Sequence, residues 1–187
     1  MDGPPTDRAP GDRAPGDRAP GVTHASQDHS PDLSACSALA YIPLRCFEGC
    51  KKLTAIDVGG AAALDAIHVR AFAGCVALSA VDLSGCAVTI IHASAFNGCT
   101  ALASVRLGGT LRHIHPLAFQ ACRGFALVDF GAALETIGSR AFEGCTSLTS
   151  VDLSACTLLT MVAPDAFWGC PIQQFTLPPG AFGETSR

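Results

Sequence analysis

Apolar and polar positions follow one short pattern through most of the chain. Six-residue blocks carry apolar residues at their first, fourth and sixth places: "LTAIDV" (53–58), "LSAVDL" (78–83), "LASVRL" (102–107), "FALVDF" (125–130), "LTSVDL" (148–153) and "IQQFTL" (172–177). The alternation at places four to six has the period of two that belongs to a strand. Places four and six therefore face a core, and place five faces solvent. Shortly before each block stands a second phrase, such as "AFAGC" at 71–75 and "AFNGC" at 95–99. Its Phe recurs at Phe47, Phe72, Phe96, Phe119, Phe142 and Phe167, at spacings of 25, 24, 23, 23 and 25 residues. Its Cys follows three places later each time, from Cys50 to Cys170. A half-repeat, "DLSACSALAYIPLRCF" from Asp32, aligns without gaps on 152–167.

A fixed period of this length predicts a coil in which each repeat stacks on the next and all repeats share one core. Neighbouring parallel strands lie about 4.8 Å apart, so equivalent residues form columns along the coil. The Phe of each phrase is expected to fill the core from the wall opposite the strand, where a short helical turn closes the repeat. The Gly of "AFxGC" is expected to end that turn in a left-handed conformation. Ala121 replaces this Gly in the fourth repeat, at a cost on the order of 1 kcal/mol if the site is left-handed. Nearby Gly124 is the residue expected to absorb the strain.

The spacing L-x-x-L-x-L-x-x-C, met at each fixed place in "LSAVDLSGCAV" (78–88), resembles a leucine-rich repeat. With the preceding I-x-x-x-A-F-x-G-C, the chain resembles the BspA-type leucine-rich repeat found in bacterial and protist surface-antigen-like proteins. The resemblance runs from residue 32 to about residue 178. It implies an α/β fold: a right-handed solenoid with one short parallel strand per 23–25-residue turn and short helical or irregular convex segments. It also implies an adhesin-like or interaction protein, not an enzyme.

Three segments follow. Residues 1–31 contain "DRAPG" in three tandem copies and too few apolar side chains to repay ordering, so a disordered arm is expected. Its Asp-Arg pairs offer a repeated recognition element. Residues 32–178 form the solenoid, and residues 179–187 a tail whose Phe182 is expected to fold over the open end of the core. Residues 1–32 carry six Asp and three Arg, and the remainder nine Lys and Arg against ten Asp and Glu. Neither part has the clustered cations of a nucleic-acid binder. No apolar run approaches the ~20 residues that span a bilayer, and the N-terminus has no secretory-leader pattern. The cytoplasm is the expected location for the chain as it stands, and the cell surface if the protein is longer.

The place-five column reads Asp57, Asp82, Arg106, Asp129, Asp152 and Thr176, continued by Asp32. Like charges one step apart repel by about 1 kcal/mol in a water-like dielectric, and Arg106 stands where it can neutralise Asp82 and Asp129. This stripe on the concave sheet is the expected docking site for a protein or basic peptide. Small neighbours at Thr54, Ala80, Ser104 and Ser150 would let a partner approach closely. The alternatives are a solvated face that resists aggregation, a fragment of an adhesin-like protein, or a spacer with no ligand. Trp168, at the outward place of its phrase, is a second candidate anchor, although packing against the tail is the plainer expectation.

Ten cysteines lack the paired CxxC spacing of a zinc site. Cys36, Cys86 and Cys156 lie two or more coils apart, beyond disulfide reach, so buried thiols are expected. His68, His92 and His115 form another column that Gly138 interrupts; a turn with positive φ explains both residue types better than a metal site. No motif for acyl, phosphoryl or metal-assisted chemistry is present. No cofactor is expected.

Overall fold

A computed structural model describes residues 32–180 apart from Ser34. Each coil after the first carries two short strands instead of the single strand expected. One set lies just before each "AFxGC" phrase: β1 (Tyr41–Ile42), β2 (Ala66–Ile67), β4 (Ile90–Ile91), β6 (His113–Ile114), β8 (Thr136–Ile137) and β10 (Met161–Val162). These pair in parallel, in the order β1-β2-β4-β6-β8-β10, into one unbroken sheet. The other set comes from the six-residue blocks: β3 (Ala80–Asp82), β5 (Ser104–Arg106), β7 (Leu127–Asp129), β9 (Ser150–Asp152) and β11 (Gln174–Thr176). They form a three-stranded sheet, β3-β5-β7, and a two-stranded sheet, β9-β11. Asp32 and Asp57 add one isolated parallel bridge.

The described residues contain no helix, so the α/β assignment and the helical closing segments are not upheld; the fold is a parallel β-solenoid of about six turns. Donor sharing explains why. In the second repeat the amides of Ala71, Ala73 and Cys75 donate three residues back, to His68, Arg70 and Phe72. Those of Arg70, Phe72 and Gly74 donate instead to Ala93, Ala95 and Asn97 of the next coil, at 2.7–3.2 Å. Alternate amides thus leave the segment, and a continuous i to i−4 ladder cannot form. The alternation needs left-handed residues on both sides of the Phe. Gly49, Gly74, Gly98, Gly144 and Gly169 lie at φ 68–73°, as expected, and Arg45, Arg70, Ser94, Leu117 and Arg140 at 53–62°.

Ala121 also sits at φ 58°. Gly124 does not relieve it, because it lies outside the left-handed region; a Cβ there would stand 3.2 Å from the carbonyl oxygens of Thr100 and Leu102. Restoring glycine by Ala121→Gly should therefore raise stability by up to about 1 kcal/mol, read as a higher midpoint in urea with an unchanged slope. A lower midpoint would show that this position carries no strain.

Inside the coil, the Phe rings stack face to face from Phe47 to Phe167, with centroids 5.1–5.2 Å apart. Inward strand residues such as Ile67, Ile91, Val105, Ile114 and Ile137 complete a core without buried polar side chains among the described residues. The Cys column has a second task beyond filling space. Each thiol from Cys75 to Cys170 donates to the carbonyl of the Phe one coil earlier, for instance Cys99 Sγ to Phe72 O at 3.1 Å. That carbonyl already accepts the amide three residues ahead, from Cys75 N in the case of Phe72. A weak S–H donor thus occupies the second lone pair of a buried oxygen, which Ala or Val could not do.

Candidate interaction face

The Asp column forms as the sequence predicts. Asp82 pairs in register with Arg106, Arg106 with Asp129, and Asp152 with Thr176. All of them, and Asp57, are exposed, while Val81, Val105, Val151, Leu83, Leu107 and Leu153 beside them are buried. The Arg106 guanidinium stands 3.6 Å from Asp82. Both groups are well exposed, so the pair contributes less than about 1 kcal/mol.

A structural duty of these carboxylates was not foreseen. Asp57 accepts the amide of Gly59 at 2.9 Å, Asp129 that of Gly131 at 3.3 Å, and Asp152 that of Ser154 at 2.9 Å. Asp82 accepts both the amide and the hydroxyl of Ser84, at 2.9 and 2.6 Å. Each is an Asx turn that bends the chain out of its strand. The signal was present as Asp-x-Gly or Asp-x-Ser in all four blocks. The Ser84 hydroxyl and amide, followed by Arg106, hold the Asp82 carboxyl below the usual range, and the Ser154 contacts do the same for Asp152. These side chains are therefore anions fixed in direction at neutral pH.

Leu127 is the feature that the column reading missed. It occupies place three, where other blocks have Ala55, Ala80, Ser104, Ser150 or Gln174, and it is 74% exposed. Its register partner is Ser104, two places before Arg106, just as Asp129 follows two places later on its own strand. A large apolar side chain thus stands among small neighbours and fixed charges. Beside Asp57 and Asp82, an open depression of about 550 Å³ is lined also by Asp32, Gly59, Ser84 and Gly85.

Trp168 lies 70% exposed on another surface, in line with Asn97, Gln120 and Glu143. Those three form an outward ladder, Asn97 donating to Gln120 at 2.5 Å and Gln120 to Glu143 at 2.7 Å. Of the tail expected to cover Trp168, residues 181–187, Phe182 among them, lie outside the described residues, as does the "DRAPG" arm. Trp168 does not join the Asp column.

The His column stacks from Tyr41 through His68 and His92 to His115, with ring centroids 5.0 Å apart. The backbone explanation for it is not upheld: none of the three has positive φ. Burial, then the neighbouring imidazoles, push His92 and His115 below the ordinary histidine range, which keeps these two rings neutral. All ten cysteines are free. Burial, reinforced by Cys99 and Cys50, pushes Cys75 up to about 12, and Cys50 and Cys86 also rise on burial. Such thiols are poor nucleophiles.

The profile of the BspA type leucine rich repeat region matches six copies, over residues 29–124 and 65–183. A leucine-rich repeat protein from T. pallidum is 30% identical, with a TM-score of 0.53 over 68% of this chain and 72% of that one. Two further solved leucine-rich repeat proteins share the fold. The one from Bacteroides ovatus has 23% identity, a TM-score of 0.55 and coverage of 62% of this chain. The one from Eubacterium ventriosum has 20% identity, a TM-score of 0.52 and coverage of 73%. The chain spans 29% and 42% of those two proteins' lengths. No curated protein matches it.

Proposed function

Because the chain belongs to the BspA-type leucine-rich repeat family, whose fold generally serves as a protein-interaction scaffold, we propose that it binds a protein partner through the outward face of β3, β5, β7 and β9. The observation that carries this reading is Leu127, held 74% exposed beside a file of directed carboxylates. Protein interfaces surround an apolar centre with charged groups that steer the right partner and disfavour wrong ones. Single exposed apolar side chains are ordinary on a protein surface; Leu127 is distinguished by its place among small neighbours and directed carboxylates.

The charge of the face, with three Asp around one Arg and Asp57 next in the file, favours a basic partner. Trp168 is a separate anchor on another surface and takes no part in this reading. The intact chain captures its partner, and the partner is then titrated against Leu127→Ala and against the double variant Asp82→Lys, Asp129→Lys. Each should weaken binding about tenfold or more, on the order of 1.4 kcal/mol. Because Lys cannot close the Asx turns, Asp82→Asn with Asp129→Asn serves as the control that keeps the turn acceptor. Unchanged affinity in the Leu and Lys variants would remove this face from consideration.

A further inference from the structure

The histidine file belongs to the first sheet: His68, His92 and His115 directly follow β2, β4 and β6. Its rings stand 5.0 Å apart, centroid to centroid, and the backbone gives them no room to part. Each histidine follows a core isoleucine, Ile67, Ile91 or Ile114, that is at most 1% exposed. Its amide donates to the preceding coil, His68 to Ile42, His92 to Ile67 and His115 to Ile91, at 2.9–3.0 Å. Its carbonyl accepts the amide three residues ahead, from Ala71, Ala95 or Ala118. The imidazoles themselves are half-buried.

The charged groups around the file are already engaged with one another. Tyr41 stacks on His68 from the first coil. Near His68, Arg45 and Arg70 are both bound by Glu48, and Asp65 is exposed. His92 has no charged residue within four places in sequence. Beside His115, Arg112 and His113 both face Glu135 of the next coil, at 2.6 and 4.0 Å. Gly138 follows in the file, and Arg140 beyond it pairs with Asp165. Among the described residues no carboxylate forms an ion pair with a ring of the file. Two adjacent imidazolium ions, half out of water and without a counter-ion, repel.

We propose that His68, His92 and His115 make the second to fourth repeats an acid-sensitive joint: the file packs only while neighbouring rings are not both protonated, and mild acid loosens these coils from one another. The directions found for His92 and His115 agree, since burial and then the adjoining imidazoles lower both. A histidine that binds its proton less well folded than unfolded leaves more protons on the unfolded chain. Stability is therefore complete above the ordinary histidine range and is lost as pH falls through it. Asp82, Asp152 and Asp165 lie below the usual carboxylate range, so acid reaches them only at lower pH.

Urea midpoints of the full chain at pH 7.5 and 5.0 test the joint. The parent midpoint should fall by on the order of 0.5 M, and protection of the His92 and His115 amides from exchange should fall about tenfold. His92→Gln removes the central ring, and with it both contacts between histidines, and should abolish at least half of the fall. An equal fall in parent and variant would overturn the joint, as would a parent midpoint indifferent to pH. Ring-proton titration of the unaltered protein by NMR needs no variant. His92 and His115 should titrate at lowered midpoints that depend on each other; independent titration of both at the ordinary histidine value would overturn the proposal.

Discussion

Phe119→Ala should cost about 4 kcal/mol of unfolding free energy and lower the melting temperature by on the order of 10 °C. Phe119 is fully buried in the central coil. It stacks on Phe96 at 5.2 Å and 1°, on Phe142 at 5.2 Å and 11°, and on Phe125 at 5.3 Å. Truncation removes its own transfer free energy and opens a cavity that three rings line. Those rings are held by coils on both sides, so the cavity cannot collapse without tilting the stack. Coupling between repeats passes through this file, and a weak central coil should also broaden the transition. Phe175→Ala is the matching control. It sits 44% exposed in the last described strand, meets Phe167 edge-on, and has no further coil stacked on it among the described residues. Its loss should stay near 1 kcal/mol. Equal losses at the two positions would mean that the Phe file is not a continuous core.

The columns were legible before any coordinates because a strict period converts sequence spacing into spatial neighbourhood. Phe47 to Phe167, Cys50 to Cys170 and the Asp file needed no more than that. The second strand of each coil was not legible. Segments such as "AI" at 66–67 and "HI" at 113–114 contribute one inward residue apiece, and two residues are too few for any periodicity to show. The helical turn at "AFxGC" was expected from propensity alone. Bonds to the next coil decided otherwise, and no single repeat contains that information. The site was half legible. Place five put Asp82 and Asp129 in one exposed column, as they stand in the structure, but the charge pattern hid the Asx turns, whose cue lay two residues further on. Leu127 went unnoticed because a leucine inside an apolar block looks like core until its register is known.

Gly138 is where the His column stops, and the reason carries a second large effect. Its backbone is not left-handed. A Cβ at that position would stand 2.7 Å from Pro116 N and 2.9 Å from His115 C and from Pro116 Cδ. His115 is followed by a proline, unlike His68 and His92, and the ring stiffens the coil that the next residue must pass. The obstructing atoms are backbone and a closed ring, so no rotamer change can clear them. Gly138→Ala should therefore cost about 3 kcal/mol, the upper end for overpacking, in spite of the gain that alanine brings by restricting the unfolded chain. Gly109→Ala isolates that gain: nothing lies within 4 Å of the new Cβ, and its φ is not positive. It should be neutral or up to about 1 kcal/mol stabilising. Urea midpoints of the two variants against the parent chain decide the matter. If Gly138→Ala unfolds where Gly109→Ala does, contact with Pro116 is not what keeps a side chain out of the column.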